Sequence, residues 1–237
     1  MDNSALDAVL SMVVDAHTIK GSSIVVGVAG GVAVGKSTFS KHFALFLTEK
    51  TGLAVGVVAT DGFLYSNAAL FTLGLSDRKG FPESYDNDAI KDFIARVQSG
   101  KPTSVPVYDH HTYDVTGKTQ IISPVDIMLL EGVNTLQFHE HLDLGVYLQA
   151  EEPLMRSWFV TRTSEFREAA RSNYSPFFDP WLDVSNELFF EMVTAAWESV
   201  NLPNLIDHIE PSKQFADAIV EWEADHKVRS VRMRESS

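Results

Sequence analysis

The chain has 237 residues, 45% of them hydrophobic, which is enough for one substantial core in a single large α/β domain or two smaller ones. It contains no cysteine, which excludes disulfides, thiolate nucleophiles and cysteine-rich zinc sites and fits a reducing, cytoplasmic compartment. The formal net charge of −13 repels a phosphate polymer, so no nucleic-acid partner is expected, although a local nest of backbone N–H groups can still hold a nucleotide.

The elements follow in chain order. Leu6, Val9, Leu10, Val13 and Val14 recur at helical spacing, which predicts an amphipathic helix over residues 5–16. The early acidic residues of this stretch do not make a signal peptide, and no apolar run reaches the ~20 residues of a bilayer span, so no membrane association is expected. Residues 24–29 form a short apolar run, followed by glycines and a helix-compatible stretch over 36–50. Further apolar runs at 53–59, 125–130, 142–148 and 205–209 read as strands. Runs apolar on both faces, alternating with helices, indicate a buried parallel sheet. Residues 105–123 carry Pro106, Gly117 and alternating β-formers, which predicts a hairpin or extended arm over the sheet edge. Helices are expected over 151–171 and 184–200, and closing strands over 216–222 and 228–233. No repeat or linker divides the chain, so residues 1–237 read as one domain. The fold class is α/β, of the three-layer α/β/α P-loop type with a central, mostly parallel sheet.

Residues 30–37, Gly30, Gly31, Val32, Ala33, Val34, Gly35, Lys36 and Ser37, match G-x-x-x-x-G-K-[ST] between a strand and a helix. Glycines let the backbone wrap a phosphate, and the helix starting near Lys36 turns its positive end toward it. Lys36 reaches the β- and γ-phosphates of ATP, the Ser37 hydroxyl ligates Mg²⁺, and Thr38 closes the nucleotide-binding run. There is no G-x-G-x-x-G and no Asn-Lys-x-Asp, so neither a dinucleotide fold nor the usual GTPase signature is present. In doubly wound sheets ligands bind beyond the carboxyl ends of strands. Two acids sit there: Asp61 suits the base that accepts a hydroxyl proton, and Glu131 suits the group that helps hold Mg²⁺.

Five segments then occur in order: GVAGGVAVGKST at 27–38, TDGFL at 60–64, KGFPESYD at 79–86, PVYDHHTYD at 106–114 and LEGVN at 130–134. Together they resemble the bacterial type I pantothenate kinases, within the phosphoribulokinase and uridine kinase group. The resemblance runs from about residue 24 to the C-terminus and implies roles position by position. Asp61 corresponds to the catalytic base. Tyr108, His110 and Tyr113 correspond to pantothenate-contacting residues, Arg162 to an arginine near the transferred phosphate, and His226 to a histidine stacking near adenine. It also implies a homodimer. This chain has Phe159 and His208 where family members usually carry tyrosine and asparagine in the pantothenate pocket. It has Lys41 in place of an arginine linked to coenzyme A inhibition, and Thr163 in place of an aromatic. The residues read for themselves leave Arg156, Arg162, Arg167 and Arg171 open to a solvated, charged helix face. They likewise allow His110 and His111, or His139 and His141, to be surface pairs.

The expected function is therefore an ATP- and Mg²⁺-dependent transfer of the γ-phosphoryl group to a small hydroxylated acceptor, with pantothenate leading. The alternatives are a related kinase acting on a nucleoside, sugar or sugar acid, and an ATP-binding regulatory protein without catalysis.

Overall fold

The computed structural model describes residues 3–234. Helix α1 (Asn3–Lys20) leads into β1 (Ile24–Gly30), and the loop after β1 opens α2 (Lys36–Thr51). Strand β2 (Val55–Ala59) is followed by a 3₁₀ turn at Thr60–Phe63, α3 (Asn67–Leu73) and α4 (Asn87–Gln98). Then come β3 (Thr103–Asp109), β4 (Asp114–Ile122), β5 (Ile127–Glu131) and β6 (Leu144–Gln149). Helix α5 (Glu152–Ala170), α6 (Asn186–Ala196), β7 (Ala218–Trp222) and β8 (Val228–Met233) complete the order.

The sheet runs β2-β5-β1-β6-β7-β8. All neighbours are parallel except β8, which lies antiparallel against β7. Strand side chains alternate faces, and both faces are buried. Ile24, Val26, Val28, Ile127 and Leu129 join the cluster that includes Val9 and Val13 of α1 and Phe39, Phe43 and Leu47 of α2. Val25, Met128 and Leu130 join the opposite cluster, with Ile90, Phe93 and Ile94 of α4. This is the expected three-layer arrangement, and it explains why β1 and β5 read as unbroken apolar runs. The hairpin is also found: β3 and β4 form a separate two-stranded antiparallel sheet.

One expected strand is absent. Residues 205–209 are helical, continuing from α6 through the π-helical segment Trp197–Asn201, a short turn at Leu202–Asn204 and a second π-helical segment, Leu205–Ile209. Leu205 and Ile209 are buried four residues apart, so the apolar run covers one helical face and not two faces of a strand. The π turns carry an extra residue each and reset which side chains face inward.

Arg167 departs from the expectation of a solvated arginine face on α5. It is 3% exposed. Its Nε donates to Trp181 O (2.9 Å), its Nη1 to Asn186 Oδ1 (3.0 Å), and its Nη2 to the carbonyls of Leu182 and Val184. The guanidinium also lies over the Phe189 ring, 4.5 Å from the centroid. One side chain thus fastens the irregular 181–186 segment to α5. Arg167→Met should cost at least about 2 kcal/mol, because several buried acceptors lose their donor at once. Urea unfolding of the two proteins checks this.

Candidate active site

The loop from Gly30 to Gly35 wraps inward at the carboxyl end of β1. Gly30 has φ +149°, and a Cβ there would lie 2.4 Å from Leu148 O, so only glycine lets β6 pass this close. Ala33 adopts φ 65°, a conformation that costs a non-glycine residue energy and recurs at functional loops. Val34 is fully buried and anchors the loop tip. Lys36 folds back so that Nζ donates to Gly30 O (3.1 Å) and Gly31 O (2.9 Å). Burial lowers its pKa to about 8, with the Arg162 charge pushing the same way and the Glu131 and Asp61 charges opposing.

The two strand-end acids occupy different surroundings. Glu131 is buried and accepts a hydrogen bond from Ser37 Oγ at 2.6 Å. Burial raises its pKa, while Lys36 and the Ser37 hydrogen bond pull it down. A serine hydroxyl and a carboxylate at this spacing are hard oxygen donors of the kind Mg²⁺ takes alongside water. Asp61 is half-buried on the 3₁₀ turn after β2. A Cβ on the next residue, Gly62, would lie 2.3 Å from Pro106 O. That close approach seats the Asp61 turn directly against the base of the hairpin.

The hairpin brings its aromatic residues together. A register shift between Pro106 and Tyr108 and a left-handed Tyr113 (φ 51°) supply the bulge and turn needed for residues two and five apart to meet. His110 stands edge-on to Tyr108 (5.1 Å between ring centroids) and to Tyr113 (6.4 Å). Tyr113 stacks on Phe177 at 4.1 Å, and Ser175 Oγ donates to His111 O (2.7 Å), so the hairpin tip is fixed to the segment after α5. The phenol of Tyr108 is held well above its ordinary pKa by burial and by the Asp61 charge, and Tyr113 is raised by the same two causes. Both remain neutral hydrogen-bonding groups at physiological pH.

Asp61 is the electrostatic centre of the site. Its charge acts on Lys36 and Glu131 in the phosphate cradle and on Tyr108 and Tyr113 in the hairpin. Arg162 is exposed, and its charge acts on both Lys36 and Tyr113. The remaining expected residues each meet an aromatic partner. Phe159 packs on Trp197 (5.6 Å), His208 stands edge-on to Phe81 (5.7 Å), and His226 stacks on Trp158 (4.0 Å), one helical turn before Arg162. His139 is not a free surface histidine, because its ring lies flat on Phe215 at 3.5 Å.

Two site residues carried no assignment in the sequence. Lys79 donates to Asn67 Oδ1 (2.6 Å) and to Tyr113 O, with Nζ 5.2 Å over the Tyr108 ring. Tyr85 is buried, and burial and the Asp61 charge raise its pKa. Both lie inside the KGFPESYD run, and the run itself was the available signal.

A phosphate nest, a lysine, a serine–carboxylate pair and a second carboxylate facing hydroxyl-bearing side chains define an ATP-dependent phosphotransferase acting on an alcohol group. The chain belongs to the Phosphoribulokinase / Uridine kinase family, whose profile matches residues 25–171, and within it to the type I pantothenate kinases. It is 36% identical over 222 residues to a pantothenate kinase of Listeria monocytogenes, covering 89% of this chain and 72% of the relative. It is 38% identical over 226 residues to one of Sinorhizobium medicae, covering 89% and 68%. Its fold is similar to D-glycerate 3-kinase from Cryptococcus neoformans (TM-score 0.71, 11% identity, 97% of this chain and 99% of that one). It is also similar to phosphoribulokinase from Rhodobacter spheroides (TM-score 0.57, 10% identity, 84% and 70%).

The lowered pKa of Lys36 has a testable sign. Below pH about 8 the ammonium is already charged, whereas above it polyphosphate binding must take up a proton. The dissociation constant of metal-free ADP should therefore rise above pH about 8, by up to about tenfold per pH unit. Titration calorimetry across pH 7–9.5 measures it, and Lys36→Met should bind weakly with a flat profile over that range.

Proposed function

We propose that the chain transfers the γ-phosphoryl group of Mg²⁺-ATP to the primary hydroxyl of pantothenate, as a cytoplasmic homodimer. The observation that carries this reading is the placement of the Asp61 turn, which follows β2 and lies, through Gly62, against Pro106 of the hairpin. In this reading the backbone N–H groups of the 30–37 loop and Lys36 hold the ATP phosphates. Asp61 accepts the proton of the acceptor hydroxyl as its oxygen attacks. Arg162 neutralises charge developing on the transferred group, and Tyr108, His110 and Tyr113 orient the acceptor. Ser37 and Glu131 would hold Mg²⁺, which supplies charge neutralisation on the phosphates when bound. His226, stacked on Trp158, offers an aromatic wall for adenine. The names of the relatives support pantothenate as the acceptor.

Phe159 and His208 would give the acceptor a different set of partners from those of the family. Phe159 has no hydroxyl to offer, and His208 presents an imidazole in place of an amide. Buried polar groups discriminate strongly only when the substrate satisfies them. His208→Asn should accordingly lower KM for pantothenate in a coupled ADP-release assay, and an unchanged KM would remove His208 from the pocket.

A second test addresses the chemistry. Asp61→Asn should retain ATP binding and lose at least about 10²-fold in kcat, the usual scale for a missing general base. An unchanged kcat would move the base elsewhere. ADP release measured with pantothenate, uridine, cytidine, glycerate and simple sugars decides the acceptor. Stimulation by pantothenate above the others is the expected result, and stimulation by another acceptor alone would overturn the pantothenate reading while leaving the kinase chemistry standing.

A further inference from the structure

The segment 79–86 carries Lys79 and Tyr85 to the site, and its backbone needs holding. Gly80 adopts φ +91°, open to glycine without strain but carrying no conformational preference that would fix it. Inside the segment, Ser84 Oγ accepts from Gly80 N (2.9 Å) and donates to Phe81 O (2.7 Å). Those bonds shape the loop but do not place it relative to the cradle.

The far end of the segment is tied to the Asp61 side by backbone bonds, from Tyr65 N to Ser84 O (2.9 Å) and from Asp86 N to Phe63 O (2.8 Å), and its Gly80 end is placed through one carbonyl. Asn134 Nδ2 donates to Gly80 O at 2.7 Å, and Asn204 Nδ2 donates to the same oxygen at 2.8 Å. Both asparagines are buried, at 5% and 3% exposure. They come from unrelated parts of the chain: Asn134 lies three residues beyond Glu131 at the end of β5, and Asn204 ends the turn between the two π-helical segments. Each lone pair of the carbonyl takes one donor, so the loop is located by two fixed points. Gln137 Nε2 donates to Asn134 Oδ1 (3.4 Å), which sets the orientation of that amide. Asn204 Oδ1 is buried with no partner, an unfavourable arrangement tolerated in return for the bond made by its Nδ2. Leu205, next in the chain, packs where a side chain on Gly31 would stand, so the same turn also abuts the phosphate loop.

We propose that Asn134 and Asn204 are positioning residues for the acceptor site, which through Gly80 O fix the start of the 79–86 loop, and with it Lys79, beside the hairpin. Neither amide touches the reacting atoms. This proposal rests on the kinase reading above for its kinetic arm and on the geometry alone for its structural arm.

The test uses Asn134→Leu and Asn204→Leu, which keep side-chain size and remove the donor. Hydrogen exchange should quicken at least about tenfold at amides of residues 80–86, with residues 30–38 unchanged. In steady-state kinetics, KM for the acceptor should rise about tenfold and KM for ATP should stay within about twofold. Because the two amides share one oxygen, the effects of the two substitutions should be non-additive in the double variant. A purely structural role would lower the active fraction, reducing kcat with both KM values unchanged, and that result would overturn the proposal. So would unaltered exchange in the 80–86 segment of both variants. The two asparagines lie on different elements, so Asn134→Leu carries the test where Asn204→Leu does not fold, with the milder Asn134→Ser behind it. If the unmodified protein does not turn over pantothenate, the acceptor reading fails by itself. The exchange arm then still decides the clamp, and the kinetic arm is run with the acceptor that supports turnover.

Discussion

The site depends on a carboxylate that must be kept inside the protein. Glu131 ends a strand buried on both faces, and a charge there is costly unless it is met at once. It is met by the Ser37 hydroxyl and by the nearby Lys36 charge, both carried by the first turn of α2. This contact joins the end of β5 to the loop after β1, and the parallel pairing of β1 with β5 holds the two at a fixed distance. Substitutions in either strand that shift the register would separate the pair and leave an unpaired buried charge, so the sheet and the chemistry constrain each other.

Much of this was legible in the sequence because the physical signals are local. A parallel sheet buried on both faces gives continuous apolar runs, and the glycine-lysine-serine loop between a run and a helix allows few other readings. Asp61 and Glu131 could be found because strand ends in such sheets face the ligand. The hairpin was legible from its turn residues and alternation. The failure at residues 205–209 has the same origin as the successes: a short apolar run says that a segment is buried but not whether it is extended or helical. The π turns at Trp197–Asn201 and Leu205–Ile209 decide the matter.

The site's outer residues were less legible, because their positions depend on contacts between distant segments. Nothing in the spacing of Asn134 and Asn204, 70 positions apart, indicates that both reach the same carbonyl. Arg167 could not be told from the other arginines of α5, because burial of a guanidinium by backbone carbonyls leaves no complementary acid in the sequence to signal it. His208 and Phe159 were placed near the pocket only by resemblance. Their neighbours in the fold, Phe81 and Trp197, are aromatic rings offering no additional hydrogen bond to an acceptor except through the Trp197 indole, which donates to Glu152.

The hairpin of β3 and β4 is a sheet of its own, hydrogen-bonded to no strand of the central sheet. It meets the body where Gly62 passes under Pro106, where Val105 packs in the cluster of Met128 and Leu130, and where Ser175 and Phe177 hold its tip. The hairpin can therefore vary along its exposed strand β4 while Val105 and Pro106 of β3 stay fixed by the core and by Gly62. Substitutions at the exposed β4 positions between Thr116 and Ile121 leave the strands beneath the phosphate loop unstrained.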